Sequence, residues 1–92
     1  MLDKVKDYLR ITWEDDDLLL FSLIDRGKAK MEELSGADLD FSTEGLARSL
    51  LFDYCRYAYN NTSEYFEENF QREILRLQLM AGVEKGGVED ET

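Results

Sequence analysis

Leu46-Ala47-Arg48-Ser49-Leu50-Leu51-Phe52-Asp53-Tyr54-Cys55-Arg56-Tyr57-Ala58-Tyr59 is the stretch that decides the fold. Leu46, Ala47, Leu50, Leu51, Tyr54, Cys55 and Ala58 recur there at steps of three and four, which puts them on one broad stripe of a helix. The spacing predicts a helix over about residues 43 to 60 and makes it the best core candidate of the chain. Ser42 precedes it as a hydroxyl N-cap, and Phe41 with Leu46 forms a hydrophobic staple. Asn60-Asn61-Thr62-Ser63 breaks the pattern, because these side chains favour turns and caps over helix interiors.

Working outward, the same periodicity predicts helices on both sides. Leu2, Val5 and Leu9 mark a short first helix over about residues 2 to 10. Thr12 offers an N-cap with Asp15 three residues on, so a second helix is expected to start at Trp13 or Glu14. Its apolar face is read as Leu20, Phe21, Leu23, Ile24, Met31 and Leu34, and Gly36 is its expected C-terminal cap. Gly27 sits inside that helix at a cost of about 1 kcal/mol against alanine, so either the helix bends or another backbone packs closely there. Ser35 to Phe41 reads as a loop. Phe66, Phe70, Ile74 and Leu77 predict a fourth helix over about residues 63 to 81, capped at its start by Asn61 with Glu64 and closed by Gly82. The expectation is an all-α bundle of about four helices over residues 1–81, followed by a flexible acidic tail over residues 82–92.

Composition narrows the function classes. A 92-residue chain has room for one core, and its 21 Asp plus Glu against 11 Lys plus Arg give a formal net charge of −10. That balance argues against a protein that clamps phosphates or an anionic membrane surface. With no His in the chain, imidazole triads, histidine-ligated zinc sites and imidazole pH switches are excluded. No cofactor is expected and enzymatic activity is not, because no acid pair lies in an evidently apolar setting that would separate two carboxyl pKa values. The single Cys55 lies in an apolar run and reads as a buried structural thiol in a reducing compartment. Met1-Leu2-Asp3-Lys4-Val5-Lys6 lacks the apolar core of a signal peptide, and the run Leu18 to Phe21 is far short of the roughly 20 residues of a membrane span, so a soluble intracellular protein is expected.

Two groups of residues stand out. The acids of Glu14-Asp15-Asp16-Asp17 point about 100° apart on a helix and do not converge on one ion, so they read as a solvated helix start. The aromatics around the turn after the third helix span more of the circumference than one core face needs, which makes Tyr57, Tyr59 and Tyr65, with Trp13, candidate interface residues.

Val5-Lys6-Asp7-Tyr8-Leu9-Arg10-Ile11, then Asp15-Asp16-Asp17-Leu18-Leu19 and a long helix, and a leucine-rich third helix ending in Tyr57-Ala58-Tyr59-Asn60-Asn61, together resemble the small head-tail connector proteins of tailed bacteriophages and prophages. The resemblance covers about residues 2 to 80, and the loop after the second helix is shorter than in many members of that family. It implies a helical subunit that forms a ring under the portal protein, extends the DNA channel and gives the tail-completion proteins a platform. It further implies residence in the host cytoplasm before assembly and in the virion neck afterwards. Asp15, Asp16, Asp17, Glu67 and Glu68 then become candidate channel-facing acids, because a wall that repels phosphates lets DNA slide without binding it. A different class of function remains open on the same charge: a monomeric acidic binding module that occupies a basic site on a host protein, imitating DNA.

Overall fold

The computed structural model describes residues 1–89, and side chains as far as residue 82. Five α-helices follow one another: α1 (Leu2–Leu9), α2 (Asp17–Ser35), α3 (Leu46–Tyr59), α4 (Phe66–Asn69) and α5 (Gln71–Glu89), with a single 3-10 turn (Ser63–Tyr65) leading into α4. The described residues contain no strand, so the all-α expectation holds.

α2 and α3 make the most extensive contact, and α1 and α5 each pack against both of them. The core forms where they meet, from Leu20, Leu23, Ile24 and Met31 of α2 and Leu50, Leu51, Tyr54 and Cys55 of α3. Val5, Phe66, Ile74 and Leu77 close it from the other helices, while Ile11 and Phe41 close it from the loops. Gly27 explains how α2 and α3 come so close. A Cβ built there would lie 2.6 Å from Leu51 Cδ1 and 3.0 Å from Tyr54 Cδ2, so α2 runs on through the glycine and the α3 side chains occupy the space.

The helix ends show why the chain turns where it does. Arg10 adopts the left-handed conformation (φ 61°), and the Ile11 and Arg10 amides donate back to the carbonyls of Lys6 (2.8 Å) and Asp7 (3.2 Å). Asn61 repeats this after α3 (φ 61°), with the Thr62 amide reaching Tyr57 O at 2.8 Å and its own reaching Ala58 O at 3.0 Å. Both are Schellman-type ends built without glycine, whereas α2 ends on the expected Gly36 (φ 72°). Asn61 therefore terminates α3 and does not cap the helix that follows.

Several boundaries differ from the sequence reading, each for a local reason. α2 starts at Asp17, not Trp13 or Glu14, because the Asp16 carboxylate is taken by Trp13 and Tyr59 and holds residues 12–16 as a loop. α3 starts at Leu46 behind Gly45; Ser42 gives its amide to Asp40 Oδ1 at 2.9 Å, along with its hydroxyl, and does not cap. The expected fourth helix is broken at Phe70 (φ −117°, ψ 28°), which separates α4 from α5. The break lets Phe66 and Phe70 stack at 4.9 Å while both stand edge-on to Tyr57. Phe21, expected in the core, is exposed: it lies six residues from the buried Gly27, about 120° around the helix. α5 continues through Gly82, Gly86 and Gly87 to Glu89, although each helix-interior glycine costs about 1 kcal/mol against alanine, and the helix is anchored upstream by Leu77 and Ala81. Residues 90–92 of the expected acidic tail lie outside the described residues.

Candidate interaction surface

The loop Ile11 to Asp16 carries the first candidate residues across the end of α3. Asp16 Oδ2 accepts a hydrogen bond from Trp13 Nε1–H at 2.9 Å and another from the Tyr59 hydroxyl at 2.7 Å. The indole donor first and the phenol second hold the Asp16 carboxyl below its ordinary pKa, and the same carboxylate pushes the Tyr59 phenol up. Asp16 thus stays negative between two neutral donors. Asp17 differs, because Lys6 Nζ meets its Oδ1 at 2.7 Å and balances its charge. Asp15 is exposed, and its carboxylate has no partner among the described residues.

Glu67 is likewise balanced, by Lys30 Nζ at 2.8 Å, an ion pair that ties α4 to α2 and raises the Lys30 pKa. Glu68 beside it is exposed. Asp17 and Lys30 lie 13 residues apart on α2, about 20 Å along its axis, so the two acidic groups flank separate levels of the bundle and form no common cluster. Among the described residues no group of three or more His, Cys, Asp or Glu side chains is placed to hold a metal ion. No described helix is long and apolar enough to cross a membrane.

The four candidate aromatics divide in two. Tyr57 is half-buried, stands edge-on to Phe66 and Phe70, and its hydroxyl accepts from Asn69 Nδ2 at 2.9 Å. Tyr59 is half-buried with its hydroxyl on Asp16. Trp13 and Tyr65 keep large exposed faces. Cys55 is fully buried, and burial pushes its thiol up to about 12, which leaves no thiolate for nucleophilic chemistry near neutral pH.

The apolar residues that do face solvent form two stripes that the aromatic pattern does not reveal. On α2, Leu18 is 84% and Phe21 51% exposed, and on α5 Leu75 is 53% and Leu79 59% exposed; Leu19 and Met80 are exposed as well, on other faces of the same helices. A helical projection of the sequence carries that signal: Leu75 and Leu79 fall about 100° or more from the Ile74 and Leu77 direction. An open groove between α2, α4 and α5, lined by Lys30, Tyr54, Glu67, Gln71 and Ile74, already holds the Lys30–Glu67 pair.

The Asp16 bridge gives a direct pH test. Tyr59→Phe removes one of two donors, so the Asp16 pKa is expected to rise toward its ordinary value while Trp13 still holds it lower; an NMR carboxyl titration reads this. Because the folded value is depressed, the stability that Asp16 contributes is present above the ordinary carboxylate pKa and lost as pH falls through the folded one. The variant narrows that acid window. An unchanged Asp16 titration would mean that Tyr59 does not donate to it.

Comparison with protein-family models, curated proteins and solved structures finds no match to the chain.

Proposed function

We propose that this chain is a structural, non-enzymatic head-tail connector subunit of a tailed phage or prophage. It assembles as a ring beneath the portal, extends the DNA channel and provides the platform on which tail-completion proteins attach. It resides in the host cytoplasm before assembly and in the virion neck afterwards.

The observation that carries this reading is the large apolar surface left facing solvent on two different helices of a small acidic bundle. Contiguous exposed apolar side chains mark contact with another protein, and two such stripes on one chain suit a subunit with a neighbour on each side. The charge supports it as well. Asp15 and Glu68 are exposed, and Asp16 is negative between neutral donors, so these three supply uncompensated charge where a sliding duplex must be repelled. Asp17 and Glu67 contribute less, because Lys6 and Lys30 neutralise them.

Native mass spectrometry over a concentration series, with and without a cognate portal protein, tests the reading. A closed ring, alone or on the portal, is the expected result. A strict monomer that ignores the portal overturns it and leaves the acidic module that occupies a basic site on a host protein.

A further inference from the structure

The two exposed stripes share one spacing with opposite charge. On α2, Leu18, Phe21 and Asp25 fall at i, i+3 and i+7; on α5, Arg72, Leu75 and Leu79 do the same. All six side chains are exposed, and neither Asp25 nor Arg72 has an ion-pair or hydrogen-bond partner among the described residues. Each stripe runs over seven residue steps, about 10 Å of helix. The charge stands at the C-terminal end of the α2 stripe and at the N-terminal end of the α5 stripe.

We infer that α5 of one copy packs antiparallel on α2 of a second copy, with Leu79 against Leu18, Leu75 against Phe21, and Arg72 against Asp25. This deepens the connector reading and rests on it, since it names the contact by which the ring is built. Antiparallel pairing is what brings the charges together, because the stripes carry them at opposite ends. Pairing α5 with α5 would set Arg72 on Leu79, and pairing α2 with α2 would set Asp25 on Leu18; each self-pairing buries a charge on an apolar side chain and leaves it unpaired. The cross-pairing avoids both. In a ring the contact is heterologous, with every copy offering α5 to one neighbour and α2 to the other. A reciprocal two-fold pairing of the same residues would close at a dimer; the cross-linking ladder separates the two, a product that stops at a doubly linked dimer overturning the ring contact. One pair of three-residue stripes is small beside a standard interface, so assembly is expected to be weak between two copies and reinforced on closure, when each subunit is held twice.

Cysteine cross-linking tests the pairing in the full chain, with and without portal, under mild oxidation by oxidised glutathione. Buried Cys55 stays out of the reaction. The Leu18→Cys plus Leu79→Cys double variant is expected to give a ladder of disulfide-linked oligomers. Each single variant alone should give no dimer, and a mixture of the two single variants should stop at a dimer. Charge exchange supplies a second readout: Arg72→Glu or Asp25→Lys alone should weaken self-association about tenfold or more, and the two together in one chain should restore it. Circular dichroism confirms that these exposed substitutions leave the helices intact. Dimers from either single variant, or charge variants that associate as the parent does, overturn the pairing even if rings still form on the portal, and the connector reading then stands without it. No cross-link, no association and no portal binding by the parent chain overturn both.

Discussion

Phe66→Ala is expected to lower the free energy of unfolding by about 3–5 kcal/mol, the range for removing a fully buried phenylalanine. Phe66 is 1% exposed and sits where the chain returns from α3 toward α5. Its ring meets Tyr54 edge-on at 5.4 Å, Tyr57 edge-on at 5.9 Å and Phe70 stacked at 4.9 Å. Such aromatic pairs contribute about 0.5–1.5 kcal/mol beyond the area they bury, so truncation removes contact energy as well as apolar burial. The surroundings are poorly placed to collapse into the gap, because Tyr57 is held by its hydrogen bond with Asn69 and by its own contact with Phe70. A small single domain has a total stability of about 5–15 kcal/mol, so the variant is expected to populate unfolded chain at modest urea concentration. Phe70→Ala, at a half-buried position, should cost less. A loss under 1 kcal/mol for Phe66→Ala would mean that the aromatic cluster lies outside the cooperative core.

That cluster shows how far the sequence is legible. The periodicity of Leu46 to Ala58 identifies the central helix, and every residue of its stripe joins or packs on the core, with Leu50 and Leu51 fully inside it. The spacing also puts Phe66, Ile74 and Leu77 on the buried side, as observed. The break at Phe70 is not visible in it, because that break is made by Phe66, Phe70 and Tyr57 finding one another across separate elements. The late start of α2 has the same origin. Thr12 and Asp15 form a respectable local cap signal, but Asp16 bonds to Tyr59, 43 residues away, and that tertiary bond fixes the loop. For the candidate surface the legible part is the acidic charge and the exposure of Trp13 and Tyr65. Tyr57 and Tyr59 instead commit their hydroxyls to Asn69 and Asp16. The two aliphatic stripes stay hidden as long as every apolar residue of α2 and α5 is assigned to the core without asking how wide the core face is; Phe21 stands about 120° from Gly27.

The contact of α2 with α3 at Gly27 yields the second large effect. Leu51 is fully buried, and Leu51→Ala is expected to cost about 2–5 kcal/mol in chemical denaturation. Gly27→Ala acts at the same spot from the other side. It removes a helix-interior glycine, worth about 1 kcal/mol to α2, but drives a methyl to 2.6 Å from Leu51 Cδ1 and 3.0 Å from Tyr54 Cδ2. Overpacking of this kind costs about 1–3 kcal/mol, and because Leu51 is fully buried and Tyr54 meets the same methyl, the clash is expected to outweigh the helix gain. In the double variant the clash with Leu51 disappears, the new methyl occupies part of the vacated volume, and the helix gain remains. Gly27→Ala with Leu51→Ala should therefore be more stable than Leu51→Ala alone, with a favourable coupling of about 0.5–3 kcal/mol. Simple additivity of the two losses would show that the helices shift apart around the added methyl instead. In that case the spacing of α2 and α3 is set by the rest of the core rather than by the glycine.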